Sequence, residues 1–213
     1  MVSNKPRLKR SGIVEARHLD RPKHALSIPF GLLSVMQNVA VVGPSKAGMT
    51  SILLRLAAPL AQREHGLDPS HFLFCYISLG GLECVNPQEF FELMLSGMIR
   101  AASRRPPLTY LQAPLPGCDS TFSQLLCYLQ RAEMAGPNLV WTLDEFDTAA
   151  RNPRLDLNFF SALRALVSSP RAALVIATRH SLYCMREARR PVGSSLADLF
   201  VTLTPGHLRV RAS

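Results

Sequence analysis

At 213 residues, 47% of them hydrophobic, the chain is long enough for one well-filled core and too apolar for a disordered protein. Its apolar runs at residues 139–143 and 172–177 are too short to cross a bilayer, and no apolar segment follows the basic residues at the start. Membrane and secretory classes are thereby set aside and a cytoplasmic protein is expected. The net charge of +9 admits nucleic acid as a partner, but no aromatic interleaving or nucleic-acid-binding motif accompanies it.

In chain order, residues 1–17 read as a basic tail, followed by a core over 18–204 and a short tail over 205–213. Apolar spacing at Ile28, Phe30, Leu32 and Leu33 suggests a short helix before the first strand, with Pro22 and Pro29 restricting where it begins. Residues 38–43 form a continuous apolar strand of the kind buried on both faces. A leucine-rich helix is expected over 50–62, a turn at 66–69 and a second strand over 71–79.

Asn86, Pro87 and Glu89 spell a helix start, with the asparagine as cap and the glutamate three residues later. The proline-rich stretch 104–118 reads as a loop, and Asp119 or Ser120 opens the next helix. Residues 138–143 are a third strand, followed by a proline-containing loop, a helix over 155–167, a fourth strand over 172–178 and a short fifth over 199–203. Ser181 is a candidate cap for a short helix before that last strand. Strand and helix alternate throughout, which predicts an α/β fold with a mostly parallel five-stranded sheet and helices on both faces. The five cysteines form no CxxC pair and no His/Cys cluster, so reduced thiols packed as small hydrophobes are expected.

The chemistry concentrates at three predicted strand ends, where open α/β sheets bind ligands. After the first strand comes GPSKAGMTS: Gly43, Pro44, Ser45, Lys46, Ala47, Gly48, Met49, Thr50 and Ser51. It fits G-x-x-x-x-G-K-[ST] at both glycines and at Thr50, with Met49 in the lysine position. Such a loop turns successive backbone N–H groups into one concavity at a helix N-terminus, where an anion is favoured. Thr50 would place a hydroxyl on Mg2+, and methionine supplies neither charge nor donor. Lys46 reads as a residue on the outside of the loop.

After the third strand come two adjacent carboxylates: Asp144 to hold the Mg2+ shell and Glu145 to polarise an attacking water. Arg179, after the fourth strand, can contact a terminal phosphate. Asp147 reads as a loop-shaping residue, and His180 as a surface residue with no partner acid evident from spacing.

With these residues laid out, the chain resembles the ATPase core of the AAA/STAND branch of P-loop NTPases, including the bacterial ORC-like ATPases. The resemblance rests on GPSKAGMTS as Walker A, LVWTLDEFD as Walker B, LRALVSSPRAALVIATR leading to the sensor-1 position, and the spacing among them. It implies a P-loop three-layer sandwich with strand order 5-1-4-3-2, and ATP and Mg2+ as cofactors. It also implies phosphate and Mg2+ roles for Gly43, Gly48 and Thr50, Mg2+ binding by Asp144, water activation by Glu145 and sensing by Arg179. HLDRPKH, around Arg21, stands where relatives carry an adenine-flanking segment.

Two departures matter: Met49 in the lysine position, and TPGHLRVRAS where relatives continue into a C-terminal lid, which is expected to be absent. The leading expectation is an ATP-binding domain with impaired hydrolysis. The alternatives are a non-catalytic protein-interaction scaffold and a DNA-associated relative using its basic tail; a protein partner or self-association is expected.

Overall fold

A computed structural model of the chain describes residues 26–105, 108, 120–182 and 196–204. Within them, five strands pair in the order β2-β3-β4-β1-β5, every pairing parallel. They are β1 (Asn38–Val42), β2 (Phe72–Ser78), β3 (Asn138–Asp144), β4 (Ala172–Thr178) and β5 (Phe200–Leu203). Reversed, this is the 5-1-4-3-2 order expected. The helices are α1 (Ser27–Ser34), α2 (Met49–Ala57), α3 (Pro59–Glu64), α4 (Pro87–Ser103), α5 (Thr121–Ala135), α6 (Asp147–Arg151) and α7 (Leu157–Val167).

Each central strand is buried on both sides, so its alternate residues feed two separate cores. From β3, Leu139, Trp141 and Leu143 enter the core built with α4, α5 and α7. Val140, between them, faces the opposite core, built with α1 and α2. β4 divides the same way, with Leu174 and Ile176 on one side and Val175 and Ala177 on the other. Trp141 is fully buried, and its indole N–H donates to the Met94 carbonyl of α4 at 3.1 Å, fastening that helix to the middle of the sheet.

The caps explain where the long helices start. Asn86 accepts from the Glu89 N–H at 3.0 Å while the Glu89 carboxylate accepts from the Asn86 N–H at 2.7 Å, a complete capping box. Ser120 caps α5, and Asp156 caps α7.

The chain departs from expectation in three places. The helix expected over 50–62 is two helices, because Ala58 is extended (φ −75°, ψ 123°) and Pro59 is the first residue of α3 rather than part of a last turn. A residue before proline is pushed out of the α region, and proline suits a first helical position. The loop after the third strand contains α6, a helix of 5 residues too short to show a period. Cys84 is exposed, whereas Cys75 packs in the core as expected, where burial pushes its thiol up to about 12. Residues 1–25, the HLDRPKH segment, most of the proline-rich loop and the segment after Leu182 lie outside the described residues.

Trp141→Ala should lower the unfolding free energy by about 3–5 kcal/mol, measurable by denaturant titration, because it empties the centre of the larger core.

Candidate functional site

Parallel register brings three strand ends level. Val42 pairs with Thr178 across β1 and β4, and Leu143 with Ile176 across β3 and β4. The loop that begins at Gly43, together with Asp144 and Arg179, therefore borders one depression at the carboxyl edge of the sheet. Backbone bonds lock the arrangement: the Gly43 N–H donates to the Thr178 carbonyl at 3.0 Å and the Phe146 N–H to the Ala177 carbonyl at 2.9 Å.

The depression is a cavity of about 250 Å³ lined by Ser45, Lys46, Gly48, Met49, Thr50, Asp144, Glu145, Asp147, Ala177 and Arg179. The loop, both adjacent carboxylates and the strand-end arginine thus meet in one place. The loop reaches it through Gly48, in the left-handed region at φ 81° immediately before α2, where a side chain would be strained. Lys46 adopts the same region at φ 64° and lines the cavity. Met49 also lines it, and its side chain packs against the apolar core beneath α2.

Asp144 is only 5% exposed, and each of its carboxylate oxygens is occupied. One accepts the Glu145 N–H at 3.0 Å; the other accepts the Tyr76 hydroxyl at 3.1 Å. Tyr76 comes from β2, on the sheet face that packs against α2. Burial, reinforced by the Asp144 charge, pushes its phenol up to about 12, so it stays a hydrogen-bond donor at neutral pH.

Glu145 has φ 55°, in the left-handed region, and lies 3.9 Å from the Arg179 guanidinium. Both side chains are about half exposed, so this pair contributes little to stability. The Glu145 carboxylate lies against Gly80 at the end of β2: a methyl group there would collide with one of its oxygens.

Asp147 does shape the site, and more thoroughly than its sequence position suggested. Its carboxylate accepts the Arg179 N–H at 2.7 Å, the Thr178 hydroxyl at 3.0 Å and the His180 ring Nδ1–H at 3.0 Å. His180 thus has a partner acid after all, correcting the reading from spacing. The bond to Asp147 places the proton on Nδ1, so the Arg151 guanidinium, 3.2 Å from that nitrogen, is a charge neighbour rather than a donor to it. Burial alone would raise the Asp147 pKa, but the hydrogen bonds from His180, Arg179 and Thr178 outweigh it and hold the carboxyl below its ordinary value.

Among the described residues no group of three or more His, Cys, Asp or Glu side chains is placed to hold a metal by itself. What the cavity offers is Thr50 and Asp144 in its lining, one hydroxyl and one buried carboxylate. That set fits Mg2+, which keeps several waters and takes one or two protein ligands together with phosphate oxygens. No helix among the described residues is long and apolar enough to cross a membrane.

No family model matches the chain, and no curated protein matches it in sequence. Solved structures do. The ORC2 protein of Aeropyrum pernix in its ADP form superposes with a TM-score of 0.57 at 15% identity, covering 92% of this chain and 50% of that one. Cdc6p from Pyrobaculum aerophilum gives 0.52 at 16% identity, covering 90% and 47%. The ORC1 protein of A. pernix in complex with DNA gives 0.50 at 18%, covering 87% and 45%. The chain thus has the α/β fold of the ORC/Cdc6 AAA+ ATPase core and spans about half the length of these proteins.

A lowered carboxyl pKa stabilises the folded state above the ordinary value of 3.8, and that contribution is lost as pH falls through the folded-state value. Asp147→Asn should therefore cost about 1–3 kcal/mol at neutral pH. In thermal unfolding, the gap between the two proteins should narrow as the pH is taken below 3.8.

Proposed function

We propose that the chain binds ATP with Mg2+ in this cavity, as an ORC-like AAA/STAND-type domain whose hydrolysis is weak. The observation that carries the reading is the convergence of the Gly43–Thr50 loop, the Asp144–Glu145 pair and Arg179 on one cavity in the fold of known ATPases. Loop N–H groups at the start of α2 would cradle the phosphates. Thr50 and Asp144 would hold the ion, with Tyr76 orienting the second carboxylate oxygen of Asp144. Mg2+, when bound, supplies charge neutralisation to the phosphate oxygens.

Glu145 is the candidate base for a water, and its pairing with Arg179 and its seat against Gly80 hold its carboxylate at the β2 side of the cavity. Two features support weak turnover: the absence of a lysine at position 49, and a candidate base engaged by the same arginine that would contact a terminal phosphate. A cytoplasmic setting and a protein partner or self-association fit this reading.

Equilibrium titration with a fluorescent ATP analogue and Mg2+ tests it. Saturable binding is expected, weakened at least about tenfold by Asp144→Ala through loss of a charged ligand. Absence of binding in both proteins would leave a non-catalytic interaction scaffold on an ATPase fold.

DNA association is the second reading, favoured by the net charge of +9 and by the DNA complex of one structural neighbour. A salt-titrated DNA shift should weaken on deletion of residues 1–17; unchanged affinity would remove the tail from that role.

A further inference from the structure

The phosphate loop lacks its usual ammonium at Met49, yet the cavity is not without one. We infer that Lys46 supplies the cation that neutralises the terminal phosphates of the bound nucleotide, in place of the residue at position 49. The inference rests on the nucleotide-binding reading above and assigns the charge that reading leaves open.

Three observations lead to it. Lys46 lines the cavity together with Thr50, Asp144 and Arg179, and it is the only lysine among the described residues. Its backbone sits at φ 64°, a conformation that glycine adopts without strain and lysine does not. Its side chain makes no ion pair with any described residue, whereas Arg179, the other cation lining the cavity, already lies 3.9 Å from Glu145.

Met49, by contrast, is half-buried and packs against the core below α2. That contact anchors the first turn of α2 and offers nothing to an anion. The charge balance points the same way. Asp144, Glu145 and Asp147 contribute three carboxylates to the lining against two cations, Lys46 and Arg179. A polyphosphate entering such a cavity meets net negative charge, so losing either cation should weaken binding strongly even with Mg2+ present.

The test is a set of substitutions read by titration with the fluorescent ATP analogue in the presence of Mg2+. Lys46→Gly removes the ammonium and keeps a backbone suited to positive φ, so its thermal midpoint should equal or exceed that of the parent. Its affinity should fall about tenfold or more, the loss expected for a charge-assisted contact. Arg63→Ala, on α3 outside the cavity, removes the same charge from the protein and should leave affinity unchanged.

Met49→Lys should restore binding in the Lys46→Gly protein and improve it much less in the parent, because the role is already filled there. Unchanged affinity in Lys46→Gly, with Asp144→Ala still weakening binding, overturns the inference while leaving the nucleotide site intact. A parent that binds nothing but gains binding on Met49→Lys overturns it too, because the cradle is then sound and Lys46 does not serve it. If neither protein binds, the nucleotide reading itself fails, and this inference with it.

Discussion

The site depends on one carboxylate. Asp147 opens α6 just beyond β3, and its hydrogen bonds go to Thr178, Arg179 and His180 at the end of β4. A buried charge of this kind is tolerated only when its acceptor capacity is filled, and three donors converge to fill it. The consequence is geometric. These bonds tie the chain leaving β4 to the chain leaving β3, where Arg179 and Glu145, 3.9 Å apart, both line the cavity. The Gly43 N–H is held by the carbonyl of the same Thr178. Thr178 therefore links the Gly43–Thr50 loop on one side to the acidic segment on the other.

The two halves of the site are built on different physical terms. The loop is a backbone device: its shape comes from Gly48 and Lys46 in left-handed conformations and from the start of α2. The acidic half is a side-chain device, in which Asp144 is buried, doubly hydrogen-bonded and rigid, while Glu145 is half-exposed and loosely paired. A buried, oriented carboxylate suits ion binding, and an exposed one with a soft partner suits a group that must change position. The likeness to the ORC/Cdc6 ATPase cores extends over the sheet and its helices, and at 15–18% identity it speaks to the fold.

Much of this was legible in the sequence. The continuous apolar strands announced a parallel sheet, the caps at Asn86 and Ser120 placed two helices, and the loop and acidic pair stood at the strand ends that carry them. What escaped was everything set by register. Tyr76 is 68 residues from Asp144, and Asp147 is 33 from His180, so neither pairing has a local signature. Both arise because neighbouring parallel strands bring side by side segments of the chain that no periodicity connects. The break at Ala58 was written in the sequence as Pro59, but a proline near the end of an apolar repeat also fits a last turn. α6, at 5 residues, is shorter than any helical period can reveal.

That break divides what would have been a single rod into two short arms. α2 runs from the Gly43–Thr50 loop and ends at Ala57, and α3 starts afresh after the extended Ala58, anchored by the buried Ala61 and Gln62. The Gln62 amide donates back to the Leu56 carbonyl at 3.1 Å, bracing the corner. A push on the far end of α3 thus meets a braced bend rather than a continuous axis, and is passed to α2 and the sheet beneath it instead of running straight into the Gly43–Thr50 loop.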